Sequence, residues 1–166
     1  MIFHDNGIFL LKNDEFSYMF RVDKYGQLQH LHFGVPVSEG DADAFAVIPG
    51  PGWGSNIVLD DADPNSCPDF VPLEWSNSGR GDYRESPLEL GRATDLRYVN
   101  HNILEGPAPF VCTLPQAKGN CETLELILEH TETEPEPCLS VSCRGTGHQW
   151  TAAGAGALGA ADLGMA

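Results

Sequence analysis

Side chains alternate in character along residues 16 to 22, and this two-residue period most constrains the fold of the chain. Phe, Tyr, Phe and Val occupy positions 16, 18, 20 and 22, with Ser, Met and Arg between them. Because successive side chains of a strand point to opposite faces, the pattern places the aromatic rings on one face of a β-strand. Residues 23 to 26 end in a glycine that can take positive φ, so a turn follows, and residues 28 to 35 form the return strand of a hairpin.

The rest of the chain predicts more short strands. They cover residues 8–11, 88–90, 95–99, 103–104, 122–129 and 138–143. In the segment at 122–129, Leu124, Leu126 and Leu128 share one face. Glycine and proline break the connections, and no stretch has a helical period with caps. These features predict an all-β fold, an antiparallel β-sandwich with long loops, over residues 1–143. Residues 144–166 are mostly Gly and Ala, which predicts a disordered tail.

Length and charge limit the function. The 166 residues suit one domain and cannot hold an eight-stranded α/β barrel. The net charge of −15 argues against nucleic acid and against anionic membrane surfaces, since both require basic residues. The chain begins without a secretory signal pattern, and its five cysteines are odd in number and lack a Cys-x-x-Cys pair. We therefore expect free thiols and a cytoplasmic location.

Two segments carry charged and aromatic residues between glycine turns. The first is Pro72-Leu73-Glu74-Trp75, followed by Gly81-Asp82-Tyr83-Arg84, and the second is Thr94-Asp95-Leu96-Arg97-Tyr98-Val99-Asn100-His101. Their order resembles the N-terminal domain of family 36 α-galactosidases, the retaining glycoside hydrolases that remove terminal α-linked galactose. The predicted hairpin is similar to that family as well, and the resemblance covers roughly residues 2 to 141.

The resemblance implies a supersandwich-like domain without chemistry of its own. The family's catalytic aspartates lie in a later barrel, so this chain is expected to have no catalytic residues, no metal and no cofactor. The pattern stops near Cys143, as in a truncated or frame-shifted reading frame. The parent enzyme would act on α-galactoside oligosaccharides as a homo-oligomer.

The resemblance also implies roles for individual residues. In oligomeric members, a loop of this domain reaches the active site of a neighbouring subunit, and the residues here that would contact sugar are Trp53, Asp60, Asp61 and Asp63. The motif residues would be structural: Glu74, Trp75, Asp82, Tyr83, Arg84, Asp95, Arg97, Tyr98 and His101. Tryptophan stacking and carboxylate acceptors are sound chemistry for sugar contact.

Several other patterns have plainer explanations. Two of the carboxylates Glu74, Asp82 and Glu85 could be taken for the acid and the nucleophile of a glycosidase. Carboxylates beside arginines, however, usually make structural ion pairs. Residues 80–82 spell a cell-adhesion tripeptide, whose glycine already has a turn role. Residues 61–72 have the opening spacing of a calcium loop without its glycine and its bidentate glutamate. His30 and His32, two apart on a strand, should share a face, with a structural hydrogen bond favoured over a metal.

Two rivals to the enzyme-domain interpretation stay open. One is a stand-alone carbohydrate-binding β-sandwich module, and the other is a non-functional gene fragment. In the favoured interpretation the chain supports oligomerisation and the substrate site of the parent enzyme.

Overall fold

The computed structural model describes residues 1–51, 57–77, 81–82, 84–85, 94–106 and 121–131, together with the backbone of residues 139–144 and 150–152. The strands in these ranges are β1 (Ile2–Asp5), β2 (Ile8–Lys12), β3 (Ser17–Val22), β4 (Leu28–Gly34), β5 (Leu96–Glu105), β6 (Glu122–His130), β7 (Leu139–Arg144) and β8 (Trp150–Ala152). A 3₁₀ turn at Glu39–Asp41 leads into a one-turn helix, α1 (Ala42–Phe45). Within the described part of the chain, no helix is long and apolar enough to cross a membrane.

The strands form two antiparallel four-stranded sheets. The first has the order β1-β2-β3-β4 and the second β5-β6-β7-β8, so each sheet follows the chain without a crossover. The core between them is built from buried apolar side chains of both sheets: Phe9, Leu11, Phe20, Leu28, Leu96, Leu124, Leu126 and Leu128. The prediction of an all-β, sandwich-like domain is confirmed, and the leucines of β6 share its inner face as expected.

The first sheet is apolar on both faces. Its outer face carries Leu10, Met19 and Leu31, which pack under Ala42 of α1. This second cluster explains why residues 8–11 are all apolar instead of alternating, since both faces of β2 are covered. No helix was predicted from the sequence, because four residues are too few for a helical period to show.

Three antiparallel pairings of consecutive strands build the first sheet, and two of them bear on the hairpin prediction. The predicted one is confirmed: β3 pairs with β4, and Gly26 of the connecting turn has φ +78°. The earlier one, β1 with β2, was missed. Its signal was Asn6-Gly7, whose φ values of +47° and +77° fit the two-residue turn that Asn-Gly favours.

The second sheet differs in detail from its prediction. The patches at 95–99 and 103–104 are one strand, β5, with a bulge at Val99 that shifts its register against β6. Residues 88–90 lie outside the described residues. Strand β8 falls inside the predicted tail and pairs with β7, whereas 145–149 and 153–166 lie outside the described part, so disorder there stays a prediction.

Candidate functional site

Residues 57–66, here called the acidic loop, fold around one serine. The Ser66 hydroxyl accepts hydrogen bonds from the backbone N–H groups of Leu59 and Asp60, each at 3.1 Å, and donates to the Asp63 carbonyl oxygen at 2.6 Å. Ser66 occupies the position where a calcium loop needs glycine, and it is buried. The local sequence therefore forms a compact turn closed by a side chain.

The carboxylates of the acidic loop have different surroundings. Asp60 accepts the N–H of Ala62 at 2.9 Å, and Asp63 accepts the N–H of Asn65 at 3.0 Å. Asp61 is exposed at the tip of the turn. Trp53, the fourth residue predicted to contact sugar, lies outside the described residues.

Asp63 also bonds to the turn between β3 and β4. Its Oδ2 accepts from Lys24 Nζ at 2.7 Å and from the Tyr25 hydroxyl at 2.9 Å, and Lys24 Nζ lies 4.8 Å from the centre of the Tyr25 ring. The hydrogen bond from Lys24 is the main cause that lowers the pKa of Asp63, and the same bond raises the pKa of Lys24. These contacts fasten the acidic loop to the first sheet.

Further hydrogen bonds, within the turn and from the second sheet, hold the turn at residues 23–26. Asp23 Oδ1 accepts the N–H groups of Tyr25 and Gln27, both at 2.8 Å, and burial raises the pKa of Asp23. From the second sheet, Arg97 Nη1 donates to the Tyr25 carbonyl oxygen at 2.9 Å, and the Tyr98 N–H donates to the Gly26 carbonyl oxygen at 2.8 Å.

Arg97 is held by an ion pair with Asp95. Its Nε lies 2.6 Å from Asp95 Oδ1 and its Nη2 3.0 Å from Oδ2, a bidentate contact between largely buried side chains. The Thr131 hydroxyl donates to Asp95 Oδ2 at 2.7 Å. The structure thus places Asp95 and Arg97 at the start of β5, next to the turn at residues 23–26 whose side chains contact Asp63.

Asp82 and Arg84 join two loops. Arg84 donates to both carboxylate oxygens of Asp82, at 2.8 and 2.9 Å, and to the carbonyl oxygens of Val71 and Pro68. The Asp82 side chain has 0% exposure, so it is inaccessible to an adhesion receptor. Tyr83 lies outside the described residues.

Glu74 lies on a short extension of the first sheet. The Glu74 N–H donates to the Leu28 carbonyl oxygen, and the His30 N–H donates to the Pro72 carbonyl oxygen, both at 2.8 Å, which adds residues 72–74 to the edge of β4. The side chains also meet, with His30 Nδ1 2.6 Å from Glu74 Oε1. Trp75 follows and packs against the core between the sheets.

The prediction that the two histidines of β4 share a face is wrong. His30 pairs with Phe20 and His32 with Met19, which leaves Leu31 as an extra residue in β4. Such a bulge moves the next side chain to the other face. His32 stacks on Phe45, which lies against the outer cluster.

His101 lies in an aromatic cluster between the sheets. Its Nδ1 shares a 2.8 Å hydrogen bond with the Tyr98 hydroxyl, its ring packs edge-on against Phe9, and its ring centre lies 4.1 Å from that of His4. Burial is the main cause that lowers the pKa of His4, and His101 lowers it further. Burial also raises the pKa of Tyr98.

Two of the three carboxylates considered for glycosidase chemistry make contacts with other side chains. Glu74 faces His30, and Asp82 is bonded to Arg84, so each serves a structural contact. No group of three or more His, Cys, Asp or Glu side chains in the described ranges could hold a metal ion. Lys24 and Tyr25 were not predicted as partners of the acidic loop, because their contacts with Asp63 span almost forty residues and no local pattern signals them.

Comparison with known proteins adds a family match. The model of the glycosyl hydrolase family 36 N-terminal domain matches residues 26–146. Alpha-galactosidase 1 of Pediococcus pentosaceus is 31% identical over 133 residues, which are 74% of this chain and 18% of that protein. Probable alpha-galactosidase G of Aspergillus terreus is 30% identical over 142 residues, which are 80% of this chain and 17% of that protein.

Solved structures agree on the fold. The galactosidase domain of the α-galactosidase-sucrose kinase AgaSK superposes with a TM-score of 0.68 at 24% identity, over 87% of this chain and 21% of that chain. A variant of the family 36 α-galactosidase AgaA of Geobacillus stearothermophilus, in complex with raffinose, gives 0.63 at 27% identity, over 82% and 20%. This chain therefore spans about a fifth of the length of its relatives.

Proposed function

Since the chain belongs to the glycosyl hydrolase family 36 N-terminal domain family, we propose that it serves as the non-catalytic N-terminal domain of a retaining α-galactosidase. The observation that carries the proposal is the family match over residues 26–146, which takes in strand β4 of the hairpin and both motif segments. Relatives named α-galactosidases support the substrate class, terminal α-galactosides in oligosaccharides.

The role of the domain in that enzyme is to support assembly and the substrate site. We assign the acidic loop, with Trp53, Asp60 and Asp61, to sugar contact in a neighbouring subunit of a homo-oligomer. Asp61 is exposed, which suits this role. Asp63 is committed to Lys24 and Tyr25, so its contribution to sugar contact is through the position of the loop.

The proposed location is the cytoplasm. Cys67 and Cys121, the cysteines whose side chains the structure describes, are both free thiols. Free thiols are typical of reducing compartments, where disulfides are rare.

A domain exchange tests the function. The chain replaces the matching N-terminal region of the Pediococcus pentosaceus relative, and the chimera is assayed on a chromogenic α-galactoside and sized by light scattering. We expect an active oligomer, whereas the relative without that region should lose assembly or activity. An inactive, well-folded chimera would contradict the proposal.

Two further measurements separate the roles. The purified chain alone should show no turnover of the chromogenic substrate, since Glu74 and Asp82 are engaged by His30 and Arg84; turnover that is lost on Asp82→Asn would contradict that expectation. In the chimera, Asp61→Asn should raise KM for raffinose and leave the oligomer intact. An unchanged KM would remove Asp61 from the substrate site.

A further inference from the structure

The acidic loop is bonded to a turn that is anchored in the second sheet. Asp63 Oδ2 accepts hydrogen bonds from Lys24 Nζ and from the Tyr25 hydroxyl, and both residues lie in the turn between β3 and β4. The carbonyl oxygen of Tyr25 accepts a hydrogen bond from Nη1 of Arg97, which lies in β5. Arg97 of the second sheet is therefore bonded to Tyr25, and Tyr25 is bonded to Asp63 of the acidic loop.

The contacts continue to the end of β6. Asp95 holds Arg97 through one hydrogen bond, from Nη2 to Oδ2, and an ion-pair contact between Nε and Oδ1, and Asp95 Oδ2 also accepts the Thr131 hydroxyl. Arg97 and Asp95 have only 16% and 4% of their side-chain surfaces exposed, so this end of the series is shielded from solvent. Lys24, in contrast, has 66% exposed. The series of contacts therefore runs from a buried ion pair, Asp95–Arg97, to a more exposed one, Lys24–Asp63, which salt screens more strongly.

We propose that Lys24, Tyr25 and Asp63 form a latch that sets the position of the acidic loop, and that Arg97 is a positioning residue acting on the loop through Tyr25. The latch follows from contacts within this chain, whereas its consequence for sugar contact rests on the proposed function. Tyr25 is central because it is bonded on both sides, by its hydroxyl to Asp63 and by its carbonyl oxygen to Arg97.

The latch also distinguishes Asp63 from Asp61. Asp63 has both carboxylate oxygens engaged, Oδ2 by the latch and Oδ1 by the N–H of Asn65. Asp61, two residues earlier, is exposed and carries the same charge. Replacement of either residue by asparagine removes one negative charge from the same loop, so Asp61→Asn is a matched control for Asp63→Asn.

Hydrogen exchange measured by mass spectrometry on the full chain tests the latch without any sugar. The amides of Leu59, Asp63 and Ser66 are bonded inside the loop and report its opening. We expect exchange there to rise about two- to five-fold in Asp63→Asn and Tyr25→Phe, as for the loss of an exposed ion pair or hydrogen bond, and to stay unchanged in Asp61→Asn. The strand amides of β6 should stay protected in all three variants.

Salt and variant combinations provide the second measurement. Raising NaCl from about 0.05 to 0.5 M should speed loop exchange in the parent chain, because salt screens the exposed pair, and should have little effect in Asp63→Asn. Tyr25→Phe combined with Lys24→Met should change exchange less than the product of the single effects, since both act on Asp63. Equal exchange in Asp63→Asn and Asp61→Asn would overturn the latch whatever the outcome of the domain exchange.

Discussion

Arg84 shows how one side chain can hold two loops that have no regular structure. Its guanidinium meets Asp82 with two parallel bonds and reaches two carbonyl oxygens, those of Val71 and Pro68. The planar fork of arginine makes this possible, since a lysine ammonium cannot present two parallel donors to a carboxylate. Both oxygens of the Asp82 carboxylate are therefore engaged in a contact that joins the loops.

Arg84→Lys should destabilise the protein although it keeps the charge. The bidentate geometry is lost, and hydrogen bonds to charged groups contribute about 1.5–3 kcal/mol each, so we expect a loss of about that size in the free energy of unfolding. Urea denaturation followed by tryptophan fluorescence measures it. Glu85→Gln, at an exposed neighbouring position, is the control and should change little. A stability of Arg84→Lys equal to the parent's would mean that the brace contributes nothing to folding.

His4 makes stability depend on pH. Its pKa in the folded protein lies below the ordinary value of 6.5, mainly because of burial and then because of His101, while Asp5 opposes the shift. The unfolded chain therefore binds the proton more tightly. The contribution of His4 is complete above pH 6.5 and declines as the pH falls from there to its lowered folded pKa.

Urea denaturation between pH 5 and 8 should thus show stability rising with pH toward neutrality. His4→Gln should flatten that rise because no ionisable ring remains at the position. His32→Gln, on the outer face, is the matched control and should keep the slope. An identical slope in the parent chain and in His4→Gln would contradict this account.

At the scale of elements, the sequence predicted what local patterns encode and missed what long contacts impose. The alternation of aromatic and polar side chains predicted β3, and leucines at every second position predicted β6, because a two-residue period is visible in the sequence itself. The bulge in β4 was not visible, since it depends on pairing with β3, and it overturned the shared face of His30 and His32. The site residues were predicted as individuals, whereas their contacts with the turn at 23–26 became apparent only in the fold.

Gly26→Ala should damage the turn that both sheets hold. Gly26 has φ +78°, and a Cβ there would lie 3.4 Å from the Cβ of Arg97 and 3.7 Å from the Tyr98 carbonyl oxygen. Positive φ in a residue with a side chain costs about 1–2 kcal/mol, and we expect a stability loss of that order with faster exchange in the acidic loop. Gly40→Ala is the matched control, because its φ is ordinary and its nearest neighbour would be 3.8 Å away. Equal stabilities of the two variants would show that the turn tolerates the strain.

At the scale of the whole molecule, the chain has a core of its own and surfaces suited to further contacts. The buried side chains of both sheets form one cluster, yet large apolar side chains are exposed along β5, which is the terminal strand in the order of its sheet. Exposed apolar surface is typical of interfaces with other chains or domains.

These surfaces predict association that depends on salt. The net charge of −15 keeps copies apart at low ionic strength, but the Debye length falls to about 8 Å at physiological salt, so apolar contacts then prevail. Light scattering from about 0.01 to 0.5 M NaCl should show a monomer giving way to dimers or larger species. Leu104→Lys, 43% exposed on β5, should suppress the change, whereas Ile48→Lys, 83% exposed outside the strands, should not. A monomer at every salt concentration would instead favour an independent binding module, and suppression by both lysines would assign the effect to net charge alone.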